Sequence, residues 1–132
     1  MALIAISALV SIDTNQAYQI AAGLIAGEAL LAGGLCYIKS SDGLVYQANG
    51  TAANEAAEYV GFCPRAVAAG QPVTLFGPFT RIKYSDAALT PGDFYYCGAT
   101  AGRLDAATTT GDTVGVAMAL TSSDIVVMRT KL

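Results

Sequence analysis

Histidine and tryptophan are absent from this chain, and only 7 of its 132 residues are Lys or Arg. Without imidazole there is no Ser/His/Asp or Cys/His nucleophile system and no histidine metal site. The few cations are scattered and the net charge is −3, so no surface offers the counterion release that nucleic-acid binding needs. Cysteine is scarce too. Cys36, Cys63 and Cys97 form no CxxC pair, and an odd count of this kind reads as reduced thiols packing as small hydrophobes. A Cys36–Cys97 bridge is the lesser alternative. No GxxxxGK or GxGxxG pattern opens a helix, so no phosphate loop is expected.

Long apolar runs are also missing. The first basic residue is Lys39, which leaves no basic lead for a secretory signal, and Ala2 to Val10 is too short to span a bilayer. Ile20 to Leu35 is broken by Glu28 and by Gly23, Gly27, Gly33 and Gly34. No membrane association, metal or cofactor is expected.

What is present is β language. The composition is 54% hydrophobic and 13% charged, which suits one folded domain with part of its exterior covered by a partner. Thr90-Pro91-Gly92-Asp93 sets up a turn, Phe94 to Cys97 a strand, Thr100-Ala101-Gly102 a reversal, and Arg103-Leu104 a returning strand. Ala29 to Tyr37 aligns on Ala88 to Tyr96 without gaps, placing Gly33 on Gly92, and in the same register Gly43 falls on Gly102. Val60-Gly61-Phe62 then answers Val114-Gly115-Val116, and Val73 to Leu75 answers Ile125 to Val127. Glycine at both turns of both copies points to a pseudo-repeat, residues 24–76 and 83–128, because such turns need special backbone angles.

The remaining strands are expected at Leu24–Glu28, Leu35–Lys39, Leu44–Gln47, Tyr59–Cys63, Val73–Phe76, Phe79–Tyr84, Thr113–Leu120 and Ile125–Met128, with one helical turn at Ala52–Ala57. Short strands at this spacing predict an all-β fold, a small antiparallel barrel or sandwich. Residues 1–22 read as an extended N-terminal arm ahead of a β domain at 23–132. Its apolar residues Leu3, Ile4, Ile6, Leu9, Val10 and Ile12 either add a strand to the domain or contact a neighbouring subunit. Arg81 and Lys83 mark a second, weaker contact face, with a solvated strand face as the simpler reading.

Chemistry-bearing clusters are few. Asp42, Asp86, Asp93, Asp112 and Asp124 fall mainly in turns, where carboxylates hold local N–H groups. Tyr37, Tyr46, Tyr59, Tyr84, Tyr95 and Tyr96 are core and rim residues, or else a stacking platform for sugars or bases. No catalytic residue is assigned, and the chain is not expected to be an enzyme.

The order AGEALxAGxLxY (26–37), SDGxVYxA (41–48), VGF (60–62), AAGQPVTL (68–75), LTPGDFYY (89–96), VGVA (114–117) and DIVV (124–127) resembles that of tailed-bacteriophage capsid decoration, or cement, proteins. The resemblance implies a β-tulip-like domain that sits on the capsid exterior, commonly as a homotrimer, and stabilises contacts between major capsid subunits. It would be made in the host cytoplasm. Related modules occur in head and tail fibres, so an adhesin domain binding a host-surface glycan is the alternative.

Overall fold

A computed structural model describes residues 3–8, 10–12, 16–51 and 53–130. Its strands are β1 (Ser11–Ile12), β2 (Gln19–Ile25), β3 (Leu35–Ile38), β4 (Val45–Gln47), β5 (Gly61–Phe62), β6 (Pro72–Phe76), β7 (Arg81–Lys83), β8 (Phe94–Cys97), β9 (Leu104–Asp105), β10 (Ala117–Ala119) and β11 (Asp124–Val127). The only helical element among the described residues is a 3-10 turn, Glu55–Ala57, capped by the Asn54 side chain on Ala56 N–H. The fold is all-β.

Two antiparallel sheets run β2-β6-β5-β3-β4 and β1-β7-β11-β10-β8-β9. Leaving β1 aside, both follow one plan: the first strand of a unit pairs with its last, and the middle hairpin lies at the far edge. Backbone conformation follows the same plan. Gly33 and Gly92 have φ of 75° and 88°, and Gly43 and Gly102 have 73° and 77°. These are left-handed angles that glycine adopts without a Cβ penalty. The match of Gly61 to Gly115 does not extend to the backbone. Gly61 lies in the β5 ladder opposite Cys36, whereas Gly115 has φ of 103° and precedes β10.

Strand bounds also moved. β2 begins at Gln19, so the boundary drawn at 22/23 falls inside a strand, held to β6 from Gln19↔Phe76 to Ile25↔Pro72. Phe79 is not in a strand; it ends a Gly-Pro turn with φ of 69°.

Two hydrophobic clusters fill the molecule. The larger lies between the sheets and joins Leu35, Tyr59 and Phe62 to Ile82, Tyr84, Tyr95, Leu104, Ile125 and Val127. The smaller lies on the other face of the five-stranded sheet, where Cys36, Val45, Cys63, Val73 and Leu75 are covered by Ala26, Leu30 and Val67. Leu30 and Val67 tie the covering loops together by reciprocal N–H to C=O bonds of 2.8 and 3.1 Å. The five-stranded sheet is therefore buried on both faces.

The glycine turns differ in surroundings. A Cβ on Gly33 would meet the Val10 methyls at 3.1 and 3.2 Å, whereas one on Gly92 meets nothing within 4 Å. Gly92→Ala is expected to lose about 1 kcal/mol from the left-handed backbone alone, and Gly33→Ala more. Denaturant unfolding of a double-mutant cycle with Val10→Ala should bring the two glycine effects together. Equal losses in the wild-type background would rule out the Val10 contact as the source of a difference.

Candidate functional site

The N-terminal segment lies along its own domain. Ile4 N–H donates to Leu104 C=O (3.0 Å), Ser7 N–H to Tyr84 C=O (2.7 Å), and β1 pairs antiparallel with β7. Ile4 is 7% exposed, and Ile6, Val10 and Ile12 pack against the larger cluster. Leu3, bridged to Asp105, stays at the surface. Leu9 lies outside the described residues. Of the arm residues picked out as a partner contact, four thus face this chain's own core.

Arg81 and Lys83 stand on the outer face of β7, with Ile82 inward. Arg81 Nε donates to Asp124 Oδ2 at 2.8 Å, and Lys83 Nζ lies 3.7 Å from Asp86 Oδ1. Both cations are engaged on a partly solvated surface, where such pairs contribute about 0–1 kcal/mol.

The carboxylates mostly organise backbone. Asp42 accepts Leu44 N–H (2.9 Å) and the Tyr46 hydroxyl (2.7 Å). The Leu44 N–H and then Tyr46 hold its carboxyl below the usual range, and the same bond raises Tyr46. Asp112 is fully inside. Its Oδ2 accepts Cys97 N–H (2.8 Å), and its Oδ1 accepts Val114 and Gly115 N–H at 3.0 and 2.8 Å, with Arg129 Nη2 at 3.4 Å. That carboxylate closes the loop before β10 onto β8. No group of three or more His, Cys, Asp or Glu side chains able to hold a metal occurs among the described residues. Among them, too, no helix is long and apolar enough to cross a membrane.

The tyrosines divide. Tyr59, Tyr84 and Tyr95 are core, and burial pushes Tyr84 up to about 12. Tyr37 and Tyr46 are paired on the β3–β4 hairpin, centroids 6.1 Å apart, with Lys39 Nζ 4.8 Å over the Tyr46 ring. The cysteines are free, and Cys97 belongs to a different cluster from Cys36.

Two surfaces escaped the sequence reading. The outer face of the six-stranded sheet carries Phe94, Met118 and Val126 across β8, β10 and β11, with Val114 and Met128 beside them. Phe94 is 45% exposed and Val114 60%. Leu35, the position that the sequence alignment places on Phe94, is fully buried against the other sheet. The face at Leu35 is thus covered, and the face at Phe94 is open around Phe94 and Val114, with Val126 on it buried. Period-two alternation marks Phe94 as facing away from Tyr95, but whether that face meets water depends on which sheet packs there.

The second is Phe79, 60% exposed on its left-handed backbone, near exposed Tyr18 and Ile20 at the junction of the two units. Gln16 Nε2 holds Phe79 C=O at 3.0 Å, and Gly77 N–H donates to Tyr18 C=O at 2.9 Å. A groove of about 550 Å³ lies nearby, lined by Ile12, Gln19, Arg65, Val73, Thr74 and Phe76 among others. Among the described residues, Arg65 is its one charged lining residue.

No protein-family model matches the chain, and no curated protein matches it either.

Two stability outcomes follow from these positions. Ile4→Ala is expected to lose roughly 2–4 kcal/mol as a core truncation, and Leu3→Ala less than about 1, read by urea unfolding. Phe79→Gly should leave stability unchanged or raise it by up to about 1 kcal/mol, because strain is relieved. A large loss there would show that the ring is needed for folding.

Proposed function

We propose that this chain is a non-enzymatic virion structural protein, binding the outer surface of a bacteriophage capsid and bridging neighbouring major capsid subunits, as a homotrimer. The observation that carries the reading is the open apolar face of Phe94, Val114, Met118 and Met128 on a sheet whose counterpart face is covered. A soluble chain with 13% charged residues and such a face has surface suited to a large protein partner. The ordered motifs that resemble cement proteins supply the partner's identity. Two similar units in one chain, which we take as copies of one module, suit a lattice that offers related neighbours side by side.

The mechanism is additive burial. A contact of about 800 Å² per partner corresponds to roughly 20 kcal/mol of gross apolar gain before association costs. Separating the bridged subunits must first undo that contact, and repetition over a shell multiplies the effect. The arm acts here by bracing the domain, since Ile4, Ile6, Val10 and Ile12 are engaged internally. Leu3 and the Arg81–Asp124 edge frame the apolar face.

Co-sedimentation with mature capsids tests the proposal. Wild type should pellet with capsids, and Phe94→Asp or Val114→Asp should fold normally yet bind at least tenfold more weakly (about 1.4 kcal/mol). Binding to bacterial cells or glycans instead, abolished by Tyr46→Ala on the Tyr37–Tyr46 pair, would favour the adhesin reading. Failure to bind capsids at all overturns the cement reading.

A further inference from the structure

Cys36 and Cys63 lie on adjacent strands at positions that the register puts together. Leu35 faces Phe62 and Cys36 faces Gly61, so Cys63, one residue past Phe62, is on the Cys36 side of the sheet and diagonal to it. Gly61 places no side chain between them. The Gly34 carbonyl accepts both the Cys36 thiol at 3.5 Å and the Cys63 N–H at 2.9 Å, which holds the Cys36 sulfur beside the Cys63 backbone. Both sit in the smaller cluster, under the Leu30–Val67 loops and away from Cys97.

We propose that Cys36 and Cys63 are a thiol pair that closes to an intrachain disulfide when a small peroxide reaches it. The Cys63 thiolate attacks one peroxide oxygen, the O–O bond breaks, and hydroxide leaves to be protonated as water. The Cys63 sulfenic acid so formed is attacked by the Cys36 sulfur, which gives up its proton. The S–S bond forms as the sulfenic oxygen leaves as water. Two thiols lose two electrons and two protons, and one hydrogen peroxide becomes two waters.

Diagonal positions in a flat ladder have Cβ atoms somewhat under roughly 7–8 Å apart, against about 4 Å in a disulfide. Closure therefore draws the end of β5 toward β3. That end is short but held: β5 is two residues long and Pro64 beyond it has no N–H for a ladder, while the Cys63 N–H and C=O are bonded to Gly34 C=O and Gly33 N–H at 2.9 and 2.7 Å, bonds that closure must bend. The Cys63 thiol is lowered by its hydrogen bond with the Cys36 thiol and by the Arg65 charge, against the cost of burial, while the Arg65 C=O accepts the thiol proton at 2.8 Å. The same contact and burial raise Cys36 well above the ordinary thiol range. Cys63 is also followed directly by Pro64 and Arg65, which line the groove, and it is the attacking sulfur for both reasons, with Cys36 the resolving one.

The test treats the reduced, folded protein with hydrogen peroxide and reads intact mass and peptide maps. The expected product is a monomer lighter by two hydrogens, with the peptides of Cys36 and Cys63 linked and Cys97 still alkylatable after unfolding. In Cys36→Ala, Cys63 should gain one oxygen and be trapped by a sulfenic-acid nucleophile; in Cys97→Ala the bridge should form unchanged. The rate should rise with pH and level off below the ordinary thiol range near roughly 8.5. Unlinked cysteines, a bond that includes Cys97, or an intermolecular dimer would overturn the pair. A rate still rising through the ordinary thiol range near roughly 8.5 would overturn Cys63 as the attacking group.

Discussion

Phe62 stands edge-on between Tyr59 and Tyr84, with centroids 5.3 and 6.4 Å away, and the two sheets meet at that point. Tyr59 and Phe62 come from the first unit and Tyr84 from the second, so no sheet owns this core. The Tyr84 hydroxyl reaches on to accept Leu104 N–H at 2.9 Å, fixing β9 against the same ring. Ile4 N–H bonds the carbonyl of that Leu104, which ties the N-terminal segment to the second unit. Each of these contacts presumes the aromatic row is in place. Edge-to-face pairs add roughly 0.5–1.5 kcal/mol each beyond area burial; their larger role is to set how the two units are oriented.

Turn chemistry was the most legible level of the chain. Gly33, Gly43, Gly92 and Gly102 could be picked out because a left-handed residue leaves a compositional mark, and strands β3, β4 and β8 begin within a residue of their expected places. Asp42 as a turn carboxylate was equally readable from Asp-Gly between two strands. Less was legible where the deciding neighbour is distant in sequence. Nothing local distinguishes Leu35, fully buried, from Phe94, nearly half exposed. Phe79 looked like strand because it opens the alternation of Phe79, Arg81 and Lys83 with Thr80, Ile82 and Tyr84, yet it lies in the Gly-Pro turn with its carbonyl held by Gln16. The Cys36–Cys63 juxtaposition depends on a register between β3 and β5, which spacing along the chain does not reveal.

The two sheets share a strand order and differ in what covers them. Loops carrying Leu30 and Val67 close over the outer side of the first, and nothing equivalent among the described residues closes over Phe94 and Met118 on the second. Asp112 works in the opposite direction, drawing the loop before β10 inward through three backbone N–H groups. That leaves Val114 at the crest of the loop, 60% exposed. A buried carboxylate so bonded keeps the crest in one shape.

The pairing of each unit's first strand with its last has a consequence for synthesis. β2 cannot complete its sheet until β6 has been made at Phe76, and β7 waits likewise for β11 at Val127. All strands of the five-stranded sheet are present once Phe76 is made, and its smaller cluster is drawn from its own strands and loops. Leu35, Tyr59 and Phe62 then remain bare until the chain has delivered Tyr84 and Ile125. For that interval the nascent chain carries an apolar face that a second nascent copy could occupy just as well. Crowded translation of this message should favour exchanged pairs of units between chains, whereas dilute refolding of the finished chain should favour the fold closed within each chain.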